Sequence, residues 1–141
     1  MVTDRVSGVE IGEALSLIQQ TTALCYGEAV RKGRFIRLVT TNTAWPPKVV
    51  ECDSGEAIDG ESLEAGDDGD YIQVCLYGFV KMETGGVFNA GDKVKSDNEG
   101  LPVKCLVANE ALSGGKAYMH STVAGDKIVV LVAPDVHGLG S

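Results

Sequence analysis

The sequence predicts an all-β protein: a compact β-sandwich or barrel built from two related halves, with an N-terminal arm or short helix. Three observations carry that expectation. Seven short apolar or alternating segments recur at roughly 8–12-residue spacing, as in sandwiches and barrels. The 141-residue chain holds 18 glycines, which suits a fold with many positive-φ turns, because glycine weakens element interiors. A weak self-similarity of about 57 residues also runs through the chain.

At the N-terminal end, "EIGEALSLIQQTTAL" (10–24) places Ile11, Ala14, Leu15 and Ile18 at helical spacing. It has no clear N-cap, and Thr21-Thr22 favours β structure, so a packed helix and an extended arm stand as equal readings of residues 1–24. The β-domain proper spans 25–134. Its strands are read at "RFIRLVTT" (34–41), "PKVVEC" (47–52), "DYIQVCLYGFVKM" (70–82), "DKVKSD" (92–97), "LPVKCLVA" (101–108), "KAYMHS" (116–121) and "KIVVLVAP" (127–134). In "DYIQVCLY", Ile72, Val74 and Leu76 share one face while Tyr71, Gln73, Cys75 and Tyr77 share the other. "KIVVLV" is apolar on both faces, as a central strand requires. Turn clusters such as "DSGEAIDGE", "AGDDGD", "ETGG" and "LSGG" separate the strands, and "DVHGLGS" (135–141) reads as a flexible tail.

Aligning Gly33 with Gly91 brings "PPKVVEC" near "LPVKCL" and "AGDDGDYIQVCL" near "TVAGDKIVVLV". Gly69-Asp70 then matches Gly125-Asp126, giving halves at about 31–78 and 88–133.

Composition excludes several function classes. The formal charge is −8 and the sequence pI about 4.6, so phosphate neutralisation cannot drive binding and nucleic acid is not an expected partner. The one basic cluster, "RKGRFIR" (31–37), reads as a solvated face. No apolar run approaches the roughly 20 residues of a membrane helix. The start lacks a signal-peptide pattern, so no membrane partner and synthesis in the cytoplasm are expected. Cys25, Cys52, Cys75 and Cys105 contain no C-x-x-C pair and read as free thiols packed like small apolar side chains.

The tripeptide Ala-Gly-Asp occurs at 65–67, 90–92 and 124–126. Glycine reaches positive φ freely and Asp can bond nearby backbone N–H groups, so Gly33, Gly69, Asp70, Gly91, Asp92, Gly125 and Asp126 are read as turn-forming residues. Neither "DDGD" nor "DSGEAIDGE" fits a calcium loop, and no metal or cofactor is expected. No hydrolase, metalloprotease, P-loop or dinucleotide signature is present, and His120 and His137 are isolated, so no catalytic residue is assigned. "AGDKVKSD" is similar to a strand of biotinyl and lipoyl carrier domains. However, Val80 precedes Lys81-Met82 where those domains carry their modified lysine motif, and the order of turns differs.

The stretches "AIDGESLEAGDDGDYIQVCLYGFV" (57–80), "FNAGDKVKSDNEGLPVK" (88–104) and "VAGDKIVVLVAP" (123–134) resemble the small capsid decoration, or cement, proteins of tailed bacteriophages. The resemblance covers about 25–134 and departs at the first glycine turn, "RKGRF". It implies a non-enzymatic structural protein on the exterior of the virion, made in the host cytoplasm. It further implies binding to the major capsid protein as a homo-oligomer, a trimer above all, and stabilisation of the shell. Val9, Ile11 and Leu15 in the N-terminal segment and Trp45 in "NTAWPP" are the candidate interface residues. The alternative from the residues alone is a carbohydrate-binding or calcium-dependent adhesion β-module, suggested by the acidic turns and Trp45.

Overall fold

The computed structural model of the chain describes residues 2–6, 8–40 and 45–134, so the tail at 135–141, with His137, lies outside the described residues. The strands are β1 (Ala14–Cys25), β2 (Phe35–Leu38), β3 (Lys48–Glu51), β4 (Gly60–Ser62), β5 (Tyr71–Glu83), β6 (Lys93–Ser96), β7 (Pro102–Lys104), β8 (Gly115–Ala117) and β9 (Lys127–Val132). A 3-10 helix covers Val107–Leu112. The nine strands pair in the order β1-β3-β2-β4-β5-β9-β8-β6-β7, and β1 also pairs with β5.

That last pairing closes a ring. β1 runs antiparallel to β5 and parallel to β3, so β1-β3-β2-β4-β5 forms a small five-stranded barrel. The same scheme recurs downstream. β6 pairs with β7 and β8 as β2 pairs with β3 and β4, and β8 pairs with β9 as β4 pairs with β5. Even the isolated bridges correspond, Val30 to Gly66 and Phe88 to Ser121. In the second ring the C-terminal part of β5 stands where β1 stands in the first. It pairs with β9 from Gly78 to Glu83. The Gly85 N–H donates to the Pro102 carbonyl at 2.8 Å, just as Leu24 N–H donates to Pro47 at 2.8 Å. β5 is therefore a wall of both rings.

The helical reading of 10–24 is corrected: the segment is strand from Ala14 to Cys25. The reason is visible in the register. Leu15 and Ile18 are skipped in the pairing with β5, so two bulges interrupt the alternation and space the apolar residues as a helix would. Two further elements escaped the sequence. β4 lies inside what reads as a turn cluster, its three residues all buried. The strand expected over 101–108 stops at Lys104 and gives way to the 3-10 helix.

Two apolar clusters fill the rings. Ala23, Cys25, Val30, Ile36, Val49, Ile72 and Val74 form the first. The larger second cluster is centred on Val80, Met82, Phe88, Val94, Ile128, Val130 and Val132, and includes Phe35, Cys52, Ile58 and Cys75 from the first half, so it also seals the junction. Gly114 sits there because a Cβ would come within 2.6 Å of Ile58 Cδ1 and 3.1 Å of the Phe35 ring. All four cysteines are free and buried. Burial pushes the Cys75 thiol up to about 12.

Glu61 is the exception to this apolar logic. It pairs across the strands with Phe35 and Cys75, is fully buried, and neither carboxyl oxygen has a hydrogen-bond partner. Desolvation raises its pKa well above 4.5, opposed by the Lys32 charge. The folded state thus favours the protonated acid, and stability is lost as pH rises above the ordinary carboxyl range towards the raised value. Glu61→Gln should keep the shape without the ionisation. Thermal melting should show the variant more stable by about 3 °C or more at pH 8, with the gap closing near pH 4. Parallel melting profiles across that range would refute this account of Glu61.

Candidate interaction site

The glycine-acid turns share one geometry. Gly69, Gly91 and Gly125 adopt φ of 91°, 89° and 98°. In each case the following Asp exchanges two bonds with the residue three positions earlier. Asp70 N–H donates to the Asp67 carbonyl, and its carboxylate accepts the Asp67 N–H, both at 2.9 Å. Asp92 does the same with Asn89 and Asp126 with Val123. Glu13 with Glu10 and Glu56 with Asp53 repeat the device, which the sequence displays as "EIGE" and "DSGE". Gly33, at φ 77°, precedes Arg34 instead, and there the Ser62 hydroxyl accepts the Arg34 N–H at 3.0 Å. The third Ala-Gly-Asp copy differs, because Gly66 is a bridge residue paired with Val30. These carboxylates close turns. Among the described residues, no group of three or more His, Cys, Asp or Glu could hold a metal ion. His120 accepts the Ala90 N–H through Nδ1 at 3.1 Å.

Asp126 does more than close its turn. Fully buried, it accepts N–H bonds from Thr122 at 2.7 Å and from Thr3 at 2.8 Å, plus the Thr122 hydroxyl at 3.0 Å. These donors, Thr122 N–H foremost, hold its pKa down to about 2. Thr3 belongs to an N-terminal strap laid across the start of β9. Lys127 N–H donates to the Thr3 carbonyl at 2.8 Å, Arg5 N–H donates to the Lys127 carbonyl at 3.1 Å, and Asp4 bridges Lys127 in parallel register.

Beneath the strap lies Lys81, 3% exposed. Its ammonium donates to Asp4 Oδ2 at 2.7 Å, to the Val6 carbonyl at 2.9 Å and to the Val9 carbonyl at 2.6 Å. Two of the three acceptors come from the strap, the third from Val9 just beyond it, and the Lys81 ammonium in turn keeps Asp4 below the usual carboxylate range. Val9 is therefore tied to its own domain. So is Ile11, whose methyl would meet a Cβ on Gly33 at 2.6 Å. Sequence reading missed Lys81 as an organising residue, since nothing local marks a strand lysine as buried.

The other two candidate interface residues are open to solvent, Leu15 at 45% and Trp45 at 81%. Leu15 edges a groove of about 290 Å³ lined by Val6, Ser16, Phe79, Tyr118, Met119 and Val129. Phe79 and Tyr118 meet edge to face there at 5.7 Å. A second groove of about 440 Å³ lies beside Tyr77, bounded by Gln19, Leu38, Asp59, Leu76, Ala133 and Pro134. The basic cluster is ion-paired: Arg31 with Glu51 at 2.8 Å and Glu99 at 2.9 Å, Lys32 with Glu10 at 3.4 Å, and Arg37 with Glu56 at 2.6 Å.

No protein-family model matches the chain. No curated protein matches it either. Among solved structures, the fold is similar to the crystal structure of the head fiber gp8.5 N base in bacteriophage phi29, with a TM-score of 0.63 at 16% sequence identity. The match covers 82% of this chain and 93% of that one.

Two outcomes are expected. Asp126 carries a depressed pKa, so its contribution is present above 3.8 and lost as pH falls through about 2. Asp126→Asn should flatten the acid limb of a stability–pH curve between those values, and an unchanged limb would count against this role. Asp4→Ala should free the strap, with amide exchange at Arg5 and Lys127 faster by about tenfold or more while the β5–β9 ladder keeps its protection. Equal exchange in Asp4→Ala and wild type would show that the ion pair does not hold the strap.

Proposed function

We propose that this chain is a structural protein of a bacteriophage virion, one that seats on the outer surface of the capsid and stabilises it without catalysing a reaction. The observation that carries the reading is the likeness in fold to a phage head fiber base over most of both chains. The resemblance of residues 57–80, 88–104 and 123–134 to decoration proteins supports it from the sequence side. The partner in this reading is the major capsid protein, and the working form is a homo-oligomer, a trimer foremost. The chain is made in the host cytoplasm and recruited to the assembled shell.

The exposed apolar residues around β1 and β5 give this reading its contact surface. Leu15, Ile18, Tyr77 and Tyr118 are each more than 40% exposed, and all but Ile18 border the two grooves. An apolar surface of this kind on a small domain marks an interaction site. A net charge of −8 keeps the free protein soluble before it docks.

Purified protein mixed with expanded empty capsids should co-sediment with them and raise their melting temperature. Charged substitutions at Leu15 and Tyr118 should weaken binding by about tenfold or more while leaving the fold intact. Failure to bind capsids, together with absence of the protein from purified virions, would sink the proposal. Calorimetry with calcium and a glycan panel tests the adhesion-module alternative, which requires heat or a melting shift.

A further inference from the structure

The strap and its slot differ from the rest of the fold in how they are held. Residues 2–6 contribute little apolar burial: Val2 is 53% exposed, and its methyl merely rests over Gly125. Their ties are polar and long-range. Thr3 N–H goes to Asp126, Thr3 carbonyl and Arg5 N–H to Lys127, and Asp4 carboxylate and Val6 carbonyl to Lys81. By contrast, residues 9–13 are fixed locally. Gly12 N–H donates to the Lys81 carbonyl at 2.7 Å, and Lys81 N–H donates to the Glu13 carbonyl at 3.1 Å. Between the two pieces stands Gly8, at φ 87° with nothing within 4 Å of the Cβ position.

An empty slot is costly. It leaves the Lys81 ammonium without its counter-charge, the Asp126 carboxylate short of one donor, and an unpaired stretch of strand at Lys127. Any occupant must therefore bring an N–H, a carbonyl, a carboxylate, a second N–H and a second carbonyl in the order found in Thr3-Asp4-Arg5-Val6. Another copy of this chain carries that same order.

The geometry points to strand exchange: the slot formed by Lys81, Asp126 and Lys127 is a docking site that also takes residues 2–6 of a second copy, with Gly8 as the hinge. Exchanged and self-filled forms make the same contacts, so the choice between them is set by concentration. A tether only a few residues long gives the chain's own strap an effective concentration on the order of millimolar. Free, dilute protein fills its own slot, whereas copies crowded side by side exchange straps and become linked. The inference rests on the slot alone and stands whether or not the chain binds a capsid.

The Asp4–Lys81 contact of 2.7 Å suits a zero-length carbodiimide cross-link in the unaltered protein. Equal amounts of ¹⁴N- and ¹⁵N-labelled chain would be refolded together at about 10 µM and about 1 mM, cross-linked and digested. Strand exchange predicts Asp4–Lys81 peptide pairs of mixed isotope, rising several-fold with concentration towards half of all pairs. Pairs of a single isotope at both concentrations would overturn it. A second readout covers the case where the carbodiimide fails to reach Lys81. Thr3 and Thr122 both donate N–H to the Asp126 carboxylate, so a Thr3→Cys, Thr122→Cys variant can be oxidised in its place. Covalent oligomers at the higher concentration whose digests hold a disulfide between positions 3 and 122 support exchange, and that disulfide in monomer alone rejects it.

Discussion

One strand has to satisfy two barrels at once, and most of the architecture follows from that requirement. β5 runs 13 residues, about 40 Å of extended chain. Ile72 and Val74 fill the first ring, and Val80 and Met82 the second. Its partners change accordingly. β4 meets residues 74 and 75 and β9 takes over from Gly78, while β1 follows the other edge from Tyr71 to Val80. Between those ranges the strand belongs fully to neither ring. There Leu76 and Tyr77 turn partly outward, as does Phe79 just past the changeover, and the two grooves open beside them. The apolar surface assigned to binding is thus a by-product of the changeover, since side chains that serve no interior must lie outside.

The same strand explains why the N-terminal segment is ordered by electrostatics. Beyond Val80 the pairing with β1 ends, and Lys81 presents its side chain to the outer wall. A lysine there would ordinarily be solvated. Here the strap covers it and supplies the counter-charge and a carbonyl, while Asp126 ties down the strap's first residues from the other side. The Lys81 ammonium draws its counter-charge from the strap, and Asp126 takes from it one donor beyond those of its own turn. A contact of that kind is switchable in a way that a packed core is not, since its worth depends on matched charges.

Much of this was legible in the sequence, and the failures have causes. The seven strands read from alternation correspond to β2, β3 and β5 through β9; β2, β3, β5, β6 and β9 turn β-branched or aromatic residues inward, and glycine marks many of the turns. β1 misled because bulges at Leu15 and Ile18 impose helical spacing on an extended strand. β4 was invisible because its central residue is Glu61, an acid in a place that composition rules reserve for apolar groups. Glu13 and Glu56 cap their turns as Asp70, Asp92 and Asp126 do, but they escape a sequence reading because only the aspartates draw notice through a repeated tripeptide. Lys81 and its strap could not be read at all: their contacts join residues more than 70 positions apart.

The shared wall also bears on how such a fold could grow or be divided. Each ring has five walls, yet the chain builds two rings from nine strands, since the second borrows one from the first. Appending a further ring would need only four new strands, with β9 lent as β5 is lent here. The reverse operation is not symmetrical. Cutting the chain between the halves would leave one fragment with a complete ring and the other missing a side. The architecture therefore favours lengthening at its C-terminal end over separation into independent modules, as a terrace of houses shares its party walls.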